Sequence, residues 1–166
     1  HIKTSYYQKG GQNEHRELLI RARNEPIRSD NIMTSNIITD VENMHHKYKV
    51  HDWIEANPDK LNELFKLRMR MLNEEFSETM DAYLQGDPEE LIDGLIDLVV
   101  IAIGTLDIVG VDPHEAWNEV YNANMAKEVG IKPGRANKLG LPDLRKPSGW
   151  KAPCHKLNHG KLPDIL

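Results

Sequence analysis

The stretch EELIDGLIDLVVIAIG, residues 89–104, decides the fold. From Leu91 onward Leu, Ile and Val recur on most faces, the composition of a buried helix. Yet Glu90, Asp93 and Asp97 interrupt it every three or four residues, so these acids share one helix face. A bare carboxylate is costly in an apolar interior. The acids must face something that neutralises them.

Working outward, this helix has clear ends. Asp87-Pro88-Glu89-Glu90 combines an N-cap, a proline at the first position and acids in the first turn. The helix runs to about Val109, and Gly110 closes it. Upstream, Asn57-Pro58-Asp59 breaks the chain and caps a long helix from about Asp59 to Leu84, ended by Gln85-Gly86. Its apolar positions, including Leu61, Leu64, Met71, Leu72 and Phe76, leave a face that carries Glu75 and Glu78. Downstream, Asp112-Pro113-His114-Glu115 repeats the start signal, with Glu115 at the capping-box position. That helix runs to about Glu128. Ile37, Val41, Met44 and Tyr48 mark an earlier helix over 36–49, and 51–56 reads as a short turn. No segment reads as a strand. The expected fold is all-α, an antiparallel bundle with a four-helix core completed by a dimer partner.

The chain divides into three parts. Residues 1–32 are polar and weakly periodic, with one short helix around Leu18–Ile20, and read as an N-terminal extension, either a native arm or an added segment. Residues 33–129 form the helical domain. Residues 130–166 are rich in Gly and Pro and read as a basic, irregular tail. The charge follows this layout. Residues 1–30 hold 6 basic and 4 acidic side chains, 31–129 hold 7 and 20, and 130–166 hold 8 and 2. An acidic body excludes nucleic-acid binding by the body and suits the gathering of cations; the basic tail either approaches phosphates or lies on the acidic surface. The longest apolar run, Leu98 to Ile103, is far too short to span a bilayer. Cys154 is the single cysteine, so no internal disulfide forms. With no secretory h-region, a reducing, cytoplasmic location is expected.

The two acid-bearing helices are joined by a tight turn near Gly86 and should pack antiparallel. Glu75 and Glu78 then converge on Asp93 and Asp97, with Glu90 one turn earlier. Such a group needs protons or cations to coexist. All-oxygen ligation selects Mg²⁺, with Mn²⁺ as substitute. Such an ion suits phosphate chemistry, and a carboxylate not used as ligand can take a proton from water. The plainer alternative is a solvated acidic face. It fits Glu74, Glu75 and Glu78 better than Asp93 and Asp97, whose surroundings are apolar.

At this point the residues resemble a family. LNEEFSE (72–78), ELIDGLIDLVVIAIGTLDIVGVD (90–112) and NANMAK (122–127) are similar to the MazG-like all-α NTP pyrophosphatase superfamily, which includes MazG, dimeric dUTPases and phosphoribosyl-ATP pyrophosphohydrolase. The family signature is ExxE on one helix and ExxD on the next. Glu75-Phe-Ser-Glu78 fits the first, with Glu74 as the extra acid before it. Small and phage-type members also carry a Gly-rich segment matched at Gly104–Asp112, an NxxK motif matched at Asn124–Lys127, and a KPxGW motif matched at Lys146–Trp150. The resemblance spans roughly residues 37–153.

The resemblance implies Mg²⁺-dependent cleavage between the α- and β-phosphates of an NTP or dNTP, giving the monophosphate and pyrophosphate. It implies that Glu75, Glu78, Asp93 and Asp97 hold the ion and that Glu74 or Glu75 handles the attacking water. Asn124, Lys127, Lys146 and Trp150 would bind substrate, the last two as a lid. Lys127 otherwise compensates the dipole of its helix, Trp150 otherwise anchors the tail by packing, and Arg68 either pairs with site acids or is solvated. One departure stands out. If Asp97 is the D of ExxD, the E position is Gly94, so Asp93 would replace the missing Glu. Glu90 is either a further ligand or a surface acid favoured by the helix dipole. Relatives assemble as dimers or tetramers, so a homo-oligomer is expected.

Other chemistries fit less well. A ferritin-like oxidase needs two ExxH pairs, and only Glu42 to His45 lies in the body. An HD-type phosphohydrolase would use His51-Asp52 with more widely spaced histidines. A non-catalytic helical interaction module is the remaining alternative; it predicts no turnover.

Overall fold

The helix start signals hold atom by atom. In the computed structural model, which describes residues 36–131, 134, 139–140 and 143–166, the elements follow the punctuation of the sequence. Helix α1 spans Ile37–Lys47 and α2 spans Val50–Ala56; a 3₁₀ turn, Pro58–Lys60, leads into α3, Leu61–Gln85. Helix α4 spans Pro88–Ile108 and α5 spans Pro113–Met125. Asp87 Oδ1 accepts from the amides of Glu89 and Glu90, and Asp112 Oδ1 from those of His114 and Glu115. Each aspartate satisfies amides that have no partner inside the helix. Gly86 ends α3 in the left-handed region at φ 71°, as an αL cap requires.

The reciprocal half of the expected capping box is replaced. The Asp112 amide donates to Asn158 Oδ1 at 2.7 Å, and Asn158 Nδ2 donates back to the Asp112 carbonyl at 2.8 Å. A buried asparagine from the tail thus takes the role expected of Glu115.

Helices α3 and α4 pack antiparallel. Thr79 lies against Gly94, and Arg68 reaches Ile101 and Thr105. Moving back along α3 therefore means moving forward along α4. A core of Ile54, Leu61, Ile108, Val109 and Val111 sits where α2, the start of α3 and the end of α4 meet. Each such aliphatic residue contributes about 1.5–3 kcal/mol by burial. Lys49 adopts φ 55° at the corner between α1 and α2. That left-handed turn costs a non-glycine residue about 1–2 kcal/mol, and it places His51 beside His45.

Two expectations need correction. A small antiparallel sheet pairs Glu128–Gly130 (β1) with Asp143–Arg145 (β2). Three residues are too few to show a two-residue alternation, and the pairing joins segments more than ten residues apart. Helix α4 is also less buried than its composition suggests. Its core face is Gly94, Ile101, Gly104, Thr105 and Ile108. Ile92 and Ile96 remain 62% and 54% exposed. Among the described residues no other helix covers them. A last short helix, α6, spans Leu162–Ile165. No single helix among the described residues is long and apolar enough to cross a membrane. The N-terminal extension, with its expected helix around Leu18–Ile20, lies outside the described residues.

Candidate active site

The acid-bearing stretches of α3 and α4 pack across a glycine, although among the described residues no three of their carboxylates bring oxygens within 4.8 Å of one another. A Cβ added at Gly94 would lie 2.5 Å from Thr79 Oγ1, so α3 and α4 approach this closely only because residue 94 has no side chain. Thr79 is buried, and its hydroxyl donates to the Glu75 carbonyl at 2.7 Å. Glu75 and Glu78 lie within about one turn of Thr79 on α3. Asp93 and Asp97 lie within one turn of Gly94 on α4. The position that lacks the family glutamate is therefore the contact that lets the two helices close.

Glu75 registers the consequence. Its side chain is half-buried, and its carboxyl is held above the usual glutamate range, first by desolvation and then by the charges of Asp97, Glu78, Glu74 and Asp93. Both causes disfavour the ionised form. The charges acting on Glu75 are thus the acids expected to share a site with it. Glu74, Glu78 and Asp93 are exposed and Asp97 is half-buried, so the group opens to solvent. Glu90 is exposed in the first turn of α4, and its charge is not among those acting on Glu75.

Asn124, Lys127, Lys146 and Trp150 also come together, but with one another. Lys127 Nζ donates to Asn124 Oδ1 at 2.7 Å. The ammonium groups of Lys127 and Lys146 lie 5.7 and 4.3 Å from the Trp150 ring centre. Trp150 Nε1 donates to the Ala123 carbonyl at 2.7 Å, which ties the tail to the end of α5. A cleft of about 430 Å³ adjoins this cluster, lined by Asn122, Ala126, Ser148 and Trp150 among others. None of the four residues contributes to the charges acting on Glu75.

A second polar cluster was not foreseen. His45 Nδ1 and His51 Nε2 lie 2.5 and 2.9 Å from one oxygen, Asp107 Oδ2. Arg68 donates to Thr105 Oγ1 at 3.3 Å and to the Ile101 carbonyl at 3.0 Å. Burial disfavours the charge of Arg68, and the nearby Asp107 carboxylate offsets part of that. Arg68 therefore turns to α4 and Asp107 rather than to Glu75. His45 and Asp107 are 62 residues apart in the chain, and no local pattern announces their meeting.

Residues 47–124 match the family model described as phosphoribosyl-ATP pyrophosphohydrolase. The match includes all six acids from Glu74 to Asp97 named above and Asn124, and stops short of Lys127, Lys146 and Trp150. No curated protein and no solved structure matches the chain.

Proposed function

We propose, on the premise that the chain belongs to the MazG-like all-α NTP pyrophosphatase superfamily, that Glu74, Glu75, Glu78, Asp93 and Asp97 form its catalytic centre. The enzyme is a pyrophosphohydrolase, a hydrolase acting on a phosphoanhydride. Its proposed substrate is an NTP or dNTP, cleaved between the α- and β-phosphates. One observation carries this reading: the close α3–α4 approach at Gly94 sets Glu75 among the charges of Asp97, Glu78, Glu74 and Asp93.

The donor set suits Mg²⁺. All five groups offer hard oxygens, and their mutual repulsion calls for a cation. Glu75, Glu78, Asp93 and Asp97 would hold it, with Glu90 as an outer acid and Mn²⁺ as substitute. When bound, Mg²⁺ neutralises phosphate oxygens and acidifies water. The chain's own residues do the rest. Glu75, or Glu74 beside it, takes the proton of the attacking water. The water oxygen bonds to phosphorus, and the bridging P–O bond breaks to leave monophosphate and pyrophosphate. Asn124, Lys127, Lys146 and Trp150 form a phosphate- and ring-binding group, with Trp150 offering a face for stacking. A second subunit is proposed to cover the exposed face of α4, since a contiguous apolar surface of this kind marks an interface. The location is proposed to be cytoplasmic.

Phosphoribosyl-ATP is the second substrate to test, because the matching family bears its name. A panel of NTPs, dNTPs and phosphoribosyl-ATP with Mg²⁺ should yield pyrophosphate and a monophosphate from one class. Release of inorganic phosphate and a diphosphate instead would refute the cleavage position.

A further inference from the structure

The His45–His51–Asp107 cluster has no part in the pyrophosphohydrolase reading. It lies elsewhere on α4: Asp107 is ten residues beyond Asp97, about 15 Å along the helix. Its donors come from three elements, His45 on α1, His51 on α2 and Asp107 on α4. One donor atom from each lies within 4.8 Å of the other two. The site has a floor and an opening: the side chains of His45 and Asp107 are 9% and 16% exposed, and that of His51 is 41% exposed. His45 falls outside the residues that match the family model.

We propose that His45, His51 and Asp107 form a binding site for a divalent transition metal of the zinc class, with water as the fourth ligand. The donor chemistry selects the ion. Two imidazoles and one carboxylate suit Zn²⁺, Co²⁺ or Ni²⁺, whereas Mg²⁺ prefers oxygen donors alone. The spacing also fits. Bonds of about 2.0–2.1 Å in a tetrahedral site place neighbouring donors about 3.3 Å apart. The two contacts to Asp107 Oδ2, at 2.5 and 2.9 Å, need to widen by less than about 1 Å. The exposed His51 ring has room to make that move. When it binds metal, each imidazole presents one ring nitrogen to the ion and keeps its proton on the other. Arg68 does not compete as a hydrogen-bond partner for Asp107, because its bonds run to Thr105 and Ile101. A bound ion would tie α1 and α2 to α4 across the corner at Lys49.

The test uses the full chain, stripped with chelator and dialysed against Zn²⁺ in excess Mg²⁺, which fills the carboxylate group first. About one Zn²⁺ per chain should remain bound and raise the unfolding temperature. Co²⁺ in its place should give the strong visible bands of a four-coordinate ion. His51→Ala removes an exposed ring and should leave the helical circular dichroism intact. It and Asp107→Asn should each weaken Zn²⁺ binding at least about tenfold, since even outer-shell partners are worth 10–100-fold. His46→Ala, whose ring centre lies 6.4 Å from that of His51, should bind Zn²⁺ as wild type does. Glu78→Gln should also bind normally, which separates this site from the proposed catalytic one. Absence of bound Zn²⁺, or equal retention by wild type and His51→Ala, would overturn the proposal and leave the cluster as a hydrogen-bonded knot.

Discussion

Helix α4 carries two polar regions, one in each half, and they solve opposite problems. Both are set by a glycine at a close approach. At Gly94 an added Cβ would strike Thr79, and at Gly104 it would strike Arg68 and His45, 2.4 and 2.9 Å away. Behind Gly94 the approach gathers like charges, and Glu75 is left with a raised proton affinity. Behind Gly104 it gathers complementary groups: two imidazoles on one carboxylate, with a guanidinium nearby. One helix thus carries a region of mutually repelling charges and a region whose polar groups are paired with one another. A neutralised cluster holds the fold together, whereas an unneutralised one costs stability and is tolerated where it works.

That contrast can be broken first at the proposed catalytic end. Glu75→Gln or Asp97→Asn should lower pyrophosphate release by about 10²–10⁴-fold, the range expected for loss of acid–base groups. Circular dichroism and the unfolding midpoint should stay near wild type. Asp107→Ala should do the reverse. It leaves two imidazole donors without their acceptor and Arg68 without its counter-charge. A loss of about 2–3 kcal/mol is expected in urea unfolding, with turnover per folded molecule little changed.

The glycines give a smaller, shared effect. Gly94→Ala and Gly104→Ala each force side chains into occupied space, at about 1–3 kcal/mol. Gly94→Ala should also lower activity, because spreading α3 from α4 parts Glu75 from Asp97. Gly104→Ala should spare activity. The smallest effect is the pH response. The folded Glu75 binds its proton more tightly than the unfolded chain does, so stability contributed here is greatest below the ordinary glutamate range and falls as pH rises through the raised value. Excess Mg²⁺ should flatten that fall in thermal scans, and Glu75→Gln should remove it.

Much of this organisation was legible because its causes are local. Asp87-Pro88 and Asp112-Pro113 announce helix starts within three residues, and both caps form as expected. The convergence of Glu75 with Asp97 followed from helix periodicity and one tight turn. What stayed hidden depends on contacts between distant segments. Asn158 reaches back 46 residues to cap the loop before α5. His45 and Asp107 are 62 residues apart and meet only where α1 packs on α4. Gly94 was legible as a missing ligand, but not as the contact that closes the site. The exposure of Ile92 and Ile96 agrees with the expectation that a few helices alone leave an all-round apolar helix poorly covered.

The α3–α4 carboxylates are proposed to hold a divalent cation. The most direct measurement is the titration of the Glu75 carboxyl by carbon-detected NMR, with and without Mg²⁺. Without Mg²⁺ the midpoint should lie above the usual glutamate range, and saturating Mg²⁺ should drive it below that range. Addition of Mg²⁺ that leaves the Glu75 midpoint where it was would mean that these carboxylates hold no cation.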